Sequence, residues 1–406
     1  MAPAVLRCRR RRARRRLRRP RTDRRAARRS RCRHHHRHPR RAGVHRDRPP
    51  SESQLAVTAT APSLDAVIAS VSRSKAVRAR RRVVVISILA VLIMAVAAIS
   101  LMIGNTVYSV TDVARVVLGQ DVDGASFTVG RLRLPRMVLA IVVGLSFGIA
   151  GVTFQTMLRN PLASPDIIGI SAGASAAAAF AIVVLGLSGT AVSVFAITAG
   201  LLVTLVIYVL SHQAGSAGTR LILIGIGIAA MLEAATQYVL SQAGQWELQA
   251  VLRWLTGSLN GASWEQTLPA LIALLVLGPV LLSRRHDLDA MRLGEDAASA
   301  LGVRIERTRL VVVIAAVGLI AFATAATGPI AFVAFLAGPI AARIVGPHGS
   351  LLVPAALVGA LLVLSGDVVG QNVLNLRYPV GIVTGVLGAP YLVYLIIRTN
   401  RSGESL

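Results

Sequence analysis

From Val83 onward the chain returns repeatedly to apolar runs of about 20 residues, the length at which a helix rising ~1.5 Å per residue crosses a ~30 Å hydrocarbon core. Such runs fall near 83–103, 136–157, 167–187, 190–210, 220–241, 266–283, 309–327, 329–345, 351–369 and 380–397. A soluble protein has no use for so many. The expected fold is all-α, a polytopic membrane protein of about ten transmembrane helices over residues 83–400 with a short tail at 401–406. An even number of spans leaves both ends of the chain on one side.

The formal charge of +27 suggests a nucleic-acid partner, but its location matters more than its size. Residues 1–50 hold 22 Arg against two Asp, and the remainder is only mildly basic. This leader, residues 1–82, has two readings. One is a disordered arm that binds RNA or lipid. The other, which its composition favours, is GC-rich DNA upstream of the true start, read from too early a codon. It has no interleaved aromatics and no folded recognition motif, so no nucleic-acid partner is expected. The cluster His34, His35, His36 and His38 shares that composition, and no metal site is expected there. Both cysteines, Cys8 and Cys32, lie in the leader, which leaves the membrane body without a disulfide or thiolate site. The first apolar run is long enough to span and reads as the first transmembrane helix, not as a cleaved signal.

Short loops set the orientation. Arg78, Arg80, Arg81 and Arg82 precede the first span, Arg284, Arg285, Arg292, Arg304 and Arg307 occupy the loop at 284–308, and Arg398 and Arg401 follow the last span. These place both termini and that loop in the cytoplasm. On the opposite face Arg131, Arg133, Arg136, Arg253 and Arg377 break the bias and require a separate cause.

Spans two and seven echo each other, RMVLAIVVGLSFGIAG from Arg136 and RLVVVIAAVGLIAFAT from Arg309. Five helices separate them, so the copies point in opposite directions, as in transporters built from inverted repeats. Small residues crowd the spans, including Gly359, Gly366 and Gly370, and allow close helix approach.

Two polar segments interrupt the apolar pattern. The turn between spans two and three carries Asn160, Pro161, Leu162, Ala163, Pro165 and Asp166; Asn160-Pro161 ends one helix, and Ser164-Pro165-Asp166 is suited to start the next. In the loop at 284–308, Leu293, Ala297, Ala298 and Leu301 recur at helical spacing, Glu295 and Asp296 favour an N-terminal end, and Gly302 suits a stop. This predicts a short amphipathic helix outside the membrane, lying on lipid or against another subunit. No GxxxxGK[ST] motif is present, the only lysine is Lys75, and no loop is long enough for a nucleotide-binding domain. If transport here uses ATP, another subunit hydrolyses it.

RLPR at 133–136, GVTFQTMLRNPLASPDIIGISAGA, LGEDAASALGV, GPIAFVAFLAGPIAARIVG and YPVGIVTGVLGAP together resemble the FecCD-type permease subunits of bacterial ABC importers for iron-siderophore, haem and cobalamin. The resemblance covers residues 83–400. It implies a non-enzymatic, multi-pass subunit of the cytoplasmic membrane, paired with a copy of itself or a paralogue, two cytoplasmic ATPases and an extracytoplasmic binding protein. It implies that Leu293, Gly294, Glu295, Asp296, Ala297, Ala298, Leu301 and Gly302 form the ATPase-coupling helix, and that the turn at Asn160–Asp166 is a second cytoplasmic hallmark. It also implies that Arg133, Arg136 and Arg377 meet carboxylates of the binding protein, where the residues alone also allow contact with lipid phosphates. No cofactor is expected on this chain, with ATP used by the partner. Ala337-Gly338-Pro339 replaces the Val-Pro-His of many relatives, and Arg377-Tyr378-Pro379 their Glu-Leu-Pro, which argues against copying a cargo.

An iron-siderophore cargo is expected, with cobalamin or haem as the alternative. An ion-coupled secondary transporter is the remaining reading, since Glu233 and Asp367 lie well inside apolar runs.

Overall fold

A computed structural model describes residues 64–165, 169–211, 217–346, 349–374 and 377–401. Contacts divide the chain into Met1–Pro62 and Ser63–Leu406. The first unit, with Cys8, Cys32 and the histidine cluster, lies outside the described residues, as do Asp166 and the tail beyond 401.

The helices run in the order α1 (Leu64–Met102), α2 (Val110–Val117), α3 (Leu134–Met157), α4 (Ile170–Val183), α5 (Thr190–Ser211), α6 (Ala217–Ser241), α7 (Gln245–Leu255), α8 (Trp264–Ser283), α9 (Arg285–Met291), α10 (Glu295–Ala300), α11 (Ile305–Thr327), α12 (Val333–Val345), α13 (Leu352–Asn372) and α14 (Val380–Arg401). No strand occurs among the described residues. Each of the ten apolar runs forms a helix: α1, α3, α4, α5, α6, α8, α11, α12, α13 and α14. Eight are long and apolar enough to cross a membrane.

Residues 64–82, grouped with the leader on sequence, are helical and continuous with the first span. Their charge density hides a segment rich in good helix formers (Ala, Arg) that can propagate from a span already nucleated. At 39 residues α1 is about 58 Å long, nearly twice the hydrocarbon thickness.

The third and eighth spans are short, α4 with 14 residues and α12 with 13. Each starts after a residue in the left-handed region, Gly169 at φ 76° and Phe332 at φ 65°. Span three thus begins three residues later than its apolar run, and Gly169, not the Ser164-Pro165-Asp166 segment, occupies its N-cap. Glycine takes such an angle freely, whereas Phe332 carries a side-chain clash of roughly 1–2 kcal/mol. Packing holds it there: its ring lies edge-on to Phe335, centroids 6.4 Å apart, in a space that a side chain at Gly388 would fill.

The core is built around α3 and α11, the two spans whose sequences echo each other and the two most enclosed. Against α13, Gly144 and Gly148 of α3 meet Gly359, Ala360 and Ala355 so closely that a Cβ at either glycine would collide with backbone. Lipid offers no hydrophobic force between helices, so this backbone approach supplies dispersion contacts instead.

Against α12, Gln155 of α3 is buried and donates from Nε2 to the Phe335 carbonyl at 3.0 Å. That carbonyl is the one Pro339 leaves without its helical N–H donor four residues on. Gly338 leaves room for the Gln155 amide. The Ala337-Gly338-Pro339 departure is thus a self-consistent unit.

Candidate functional site: the two ends of the bundle

The end at which α1 enters gathers the two polar segments singled out on sequence. The segment after α8 folds as two short helices, α9 and α10, with Leu288, Met291 and Ala298 buried against the bundle. Gly294 at φ 112° and Gly302 at φ 87° flank α10, angles that a Cβ would oppose. Arg309 of α11 grips Glu295 at 2.6 Å, and Thr308 donates to Asp287 at 3.1 Å, so the pair of helices is tied to α11. Leu293 and Leu301 remain 69% and 67% exposed. Asp296 and Ala297 are exposed beside them. The helix therefore presents two leucines outward from an anchored base.

Burial holds the Asp289 carboxyl above its ordinary range, against the opposing charges of Arg292, Arg82, His286 and Arg285.

The turn after α3 lies beside this element, since the Arg159 guanidinium is 3.8 Å from where a Cβ on Gly294 would stand. Arg159 itself takes φ 51°. Asn160 accepts from the Leu162 N–H at 2.8 Å and so closes its own turn instead of capping α4. Pro161 is exposed, whereas Ala163, Ser164 and Pro165 fold inward and are buried. Leu162 and Ser164 line a mainly apolar cavity of about 440 Å³ together with Pro329, Ile330, Ala331 and Phe332. The irregular segments that precede the two short helices thus share one cavity.

At the opposite end, Arg133, Arg136 and Arg377 line one polar cavity of about 420 Å³ with Asn105, Thr106 and Gln371. None is a free side chain. Arg133 donates to the Leu101 and Thr106 carbonyls at 2.8 and 2.7 Å and stacks over Tyr108, 5.2 Å from the ring centroid. Arg377 donates to Asn105 Oδ1 at 2.5 Å and remains exposed.

Arg136 makes a two-bond ion pair with Asp367 of α13, Nη2 to Oδ1 at 2.8 Å and Nε to Oδ2 at 2.9 Å, and donates from Nη1 to Asn260 at 2.8 Å. Gln371 supplies a third donor to Asp367 at 2.7 Å. Asp367 is thus a satisfied structural carboxylate. Sequence reasoning saw Arg136 and Asp367 separately; an arginine at the start of one span and a buried acid late in another was the available signal for their pairing.

Nearby loops are stitched through backbone. Ser258 N–H donates to Thr327 O at 2.7 Å and Gly381 N–H to Gly257 O at 3.0 Å. A side chain at Gly257 would strike the Pro329 carbonyl. The three arginines therefore sit on a braced rim. Among the described residues no group of three or more His, Cys, Asp or Glu is placed to hold a metal ion.

The profile of the FecCD transport family matches residues 91–398. The ferric enterobactin transport system permease protein FepG of Escherichia coli (strain K12) is 38% identical over 73% of this chain and 91% of its own length. The Fe(3+)-citrate import system permease protein YfmE of Bacillus subtilis (strain 168) is 35% identical over 78% of this chain and 96% of its own. The cobalamin import system permease protein BtuC of Halobacterium salinarum is 32% identical over 67% and 74%. A solved inward-facing structure, assigned to a metal-chelate type ABC transporter, is 28% identical, covers 77% of this chain and 98% of its own, and superposes with a TM-score of 0.70. Matched by the family profile over residues 91–398 and by permease relatives over most of their own length, the chain belongs to the FecCD transport family and is the multi-pass membrane permease of an ABC importer whose ATPase is a separate subunit.

Proposed function

We propose that this permease carries an iron-siderophore complex across the bacterial cytoplasmic membrane, with both termini, α9, α10 and the turn at Asn160–Pro165 in the cytoplasm. The observation that carries the cargo is the set of relatives named for ferric enterobactin and Fe(3+)-citrate, each matched over more than nine-tenths of its length. The cobalamin-named relative keeps cobalamin as the alternative. The ion-coupled reading loses Asp367, whose charge Arg136 already balances.

The ends of the bundle divide the work. Leu293 and Leu301 are the exposed apolar pair that seats in an ATPase groove, and the ties to α11 pass its movement to the core. Arg133, Arg136 and Arg377 present a basic rim to carboxylates on the binding protein. Glu233 supports a second permease subunit: it lies in mid-span on the exposed face of α6, and a carboxylate there is costly in lipid. A copy or paralogue across α6 covers it and encloses a path.

ATP closes the two ATPases, their motion shifts α10 on each permease, and the path between the permeases changes the side to which it opens. This chain makes and breaks no covalent bond. The test is uptake by proteoliposomes holding the permease with its ATPase and binding protein, given radiolabelled ferric enterobactin, ferric citrate or cobalamin. ATP-dependent iron entry is the expected outcome; entry of cobalamin with none of iron selects the alternative.

A further inference from the structure

Three guanidinium groups, two from α1 and one from just after α9, converge on the end of α12 and the residues before α13. Arg81 of α1 donates from Nε and Nη2 to the Ile344 carbonyl at 3.2 and 2.9 Å. Arg82 donates to the Ser350 carbonyl, and Arg292, just after α9, reaches the Gly349 carbonyl at 3.5 Å. All three acceptors are neutral. Ion pairs among the described residues are Arg136–Asp367, Arg284–Asp287 and Arg309–Glu295, so no carboxylate pairs with these arginines. Asp289 lies in the field of Arg82 and Arg292 but beyond pairing distance. Arg78, one turn before Arg82, and Arg80, two residues before it, are exposed on α1 and add two more charges.

The depth of this cluster is fixed by its neighbours. Arg82 directly precedes the exposed Val83 and Val84 that begin the first apolar run, and Ser350 directly precedes the apolar start of α13. The site therefore stands at the level of lipid headgroups. α1 is mostly uncovered along its span, so lipid reaches the helix that carries Arg81 and Arg82. Guanidinium groups match the planar, multidentate donors that a phosphodiester oxygen pair accepts.

We propose that Arg82 and Arg292, with Arg78, Arg80 and Arg81 around them, form a binding site for the phosphodiester headgroup of an anionic phospholipid. The lipid neutralises a cluster that no carboxylate among the described residues pairs with and links α1 to the α9–α10 element. This goes beyond the importer reading and needs only that the chain sits in a membrane, whatever its orientation or cargo, so the two fail independently.

The experiment uses the full-length permease in nanodiscs of phosphatidylcholine doped with phosphatidylglycerol, with the lipid kept after detergent extraction counted by native mass spectrometry. Wild type keeps phosphatidylglycerol in preference. Arg82→Gln with Arg292→Gln lowers retention roughly 25-fold, about fivefold for each arginine near a lipid surface. Asp289→Asn raises it by removing a carboxylate that lies in the field of Arg82 and Arg292. Arg78→Gln with Arg80→Gln breaks none of the internal hydrogen bonds described here and lowers retention even where the first pair of changes unfolds the chain. Equal retention of the two lipids by wild type overturns the proposal, as does unchanged retention in both the Asp289→Asn and the Arg78→Gln, Arg80→Gln variants. Displacement by inorganic phosphate as readily as by lipid overturns it in favour of a soluble anion.

Discussion

Arg136 and Asp367 stand 231 positions apart in sequence and meet through two hydrogen bonds that join the start of α3 to the last turns of α13. Asp367 is 1% exposed. Removing one partner of a buried pair strands the other charge, at a cost of about 3–5 kcal/mol. Asp367→Ala is expected to lower the melting temperature of the detergent-purified permease strongly, and Asp367→Asn, which keeps an acceptor, by less. Equal melting of all three proteins would show that the pair holds nothing together.

Gln155 offers a sharper test because its partner is known to lack a donor. Gln155→Leu leaves the Phe335 carbonyl buried and unsatisfied, costing about 1–3 kcal/mol. Adding Pro339→Ala returns an N–H to that position and is expected to recover much of the loss. A double variant no more stable than the single one refutes the pairing.

Coupling is expected to fail when the exposed leucines become acidic. Leu293→Asp with Leu301→Asp touches no buried contact, so membrane insertion and melting stay as in wild type while cargo uptake per ATP hydrolysed falls. Uptake at the normal rate removes α10 from the ATPase interface.

Orientation is checked with single cysteines in a chain whose Cys8 and Cys32 are changed to Ser. Ser299→Cys on α10 and Gln120→Cys after α2 are both exposed. In intact cells an impermeant maleimide should label position 120 and spare 299, with the pattern reversed in inside-out vesicles. The opposite labelling inverts every loop assignment.

Docking is best probed at Arg377, which is exposed, because Arg133 and Arg136 also hold the fold. Arg377→Glu is expected to weaken the binding-protein complex, with the wild-type affinity itself falling as salt shortens the ~8 Å screening length. Surface plasmon resonance at two ionic strengths measures both.

The ten helices were legible because bilayer thickness calls for long apolar runs, and eight of the ten keep a spanning length. The boundaries of α4 and α12 were not. The segments before them are apolar or small, like the helices themselves, and nothing in the sequence marks Phe332 as left-handed. The fold of the Asn160–Pro165 turn escaped for a related reason: Asn160 serves equally well as a cap or as a turn former, and only the buried Ala163, Ser164 and Pro165 decide between them. Arg136 stood out as a charge at the start of a span, but its partner lies seven spans away. The charge of the leader also masked the helical start of α1, where arginine and alanine supply much of the propensity.

The brevity of α4 and α12 leaves backbone to be satisfied by other means than a helix ladder. Fourteen and 13 residues rise about 21 and 20 Å, roughly a third less than the hydrocarbon they sit in. Irregular backbone occupies the remainder, and at that depth it persists only within protein or beside water. Described residues of both segments line the same 440 Å³ cavity. Around that cavity the backbone N–H and C=O groups that no helix ladder takes up have to find partners in the surrounding protein, so the fold there depends on its neighbours more than a regular span does.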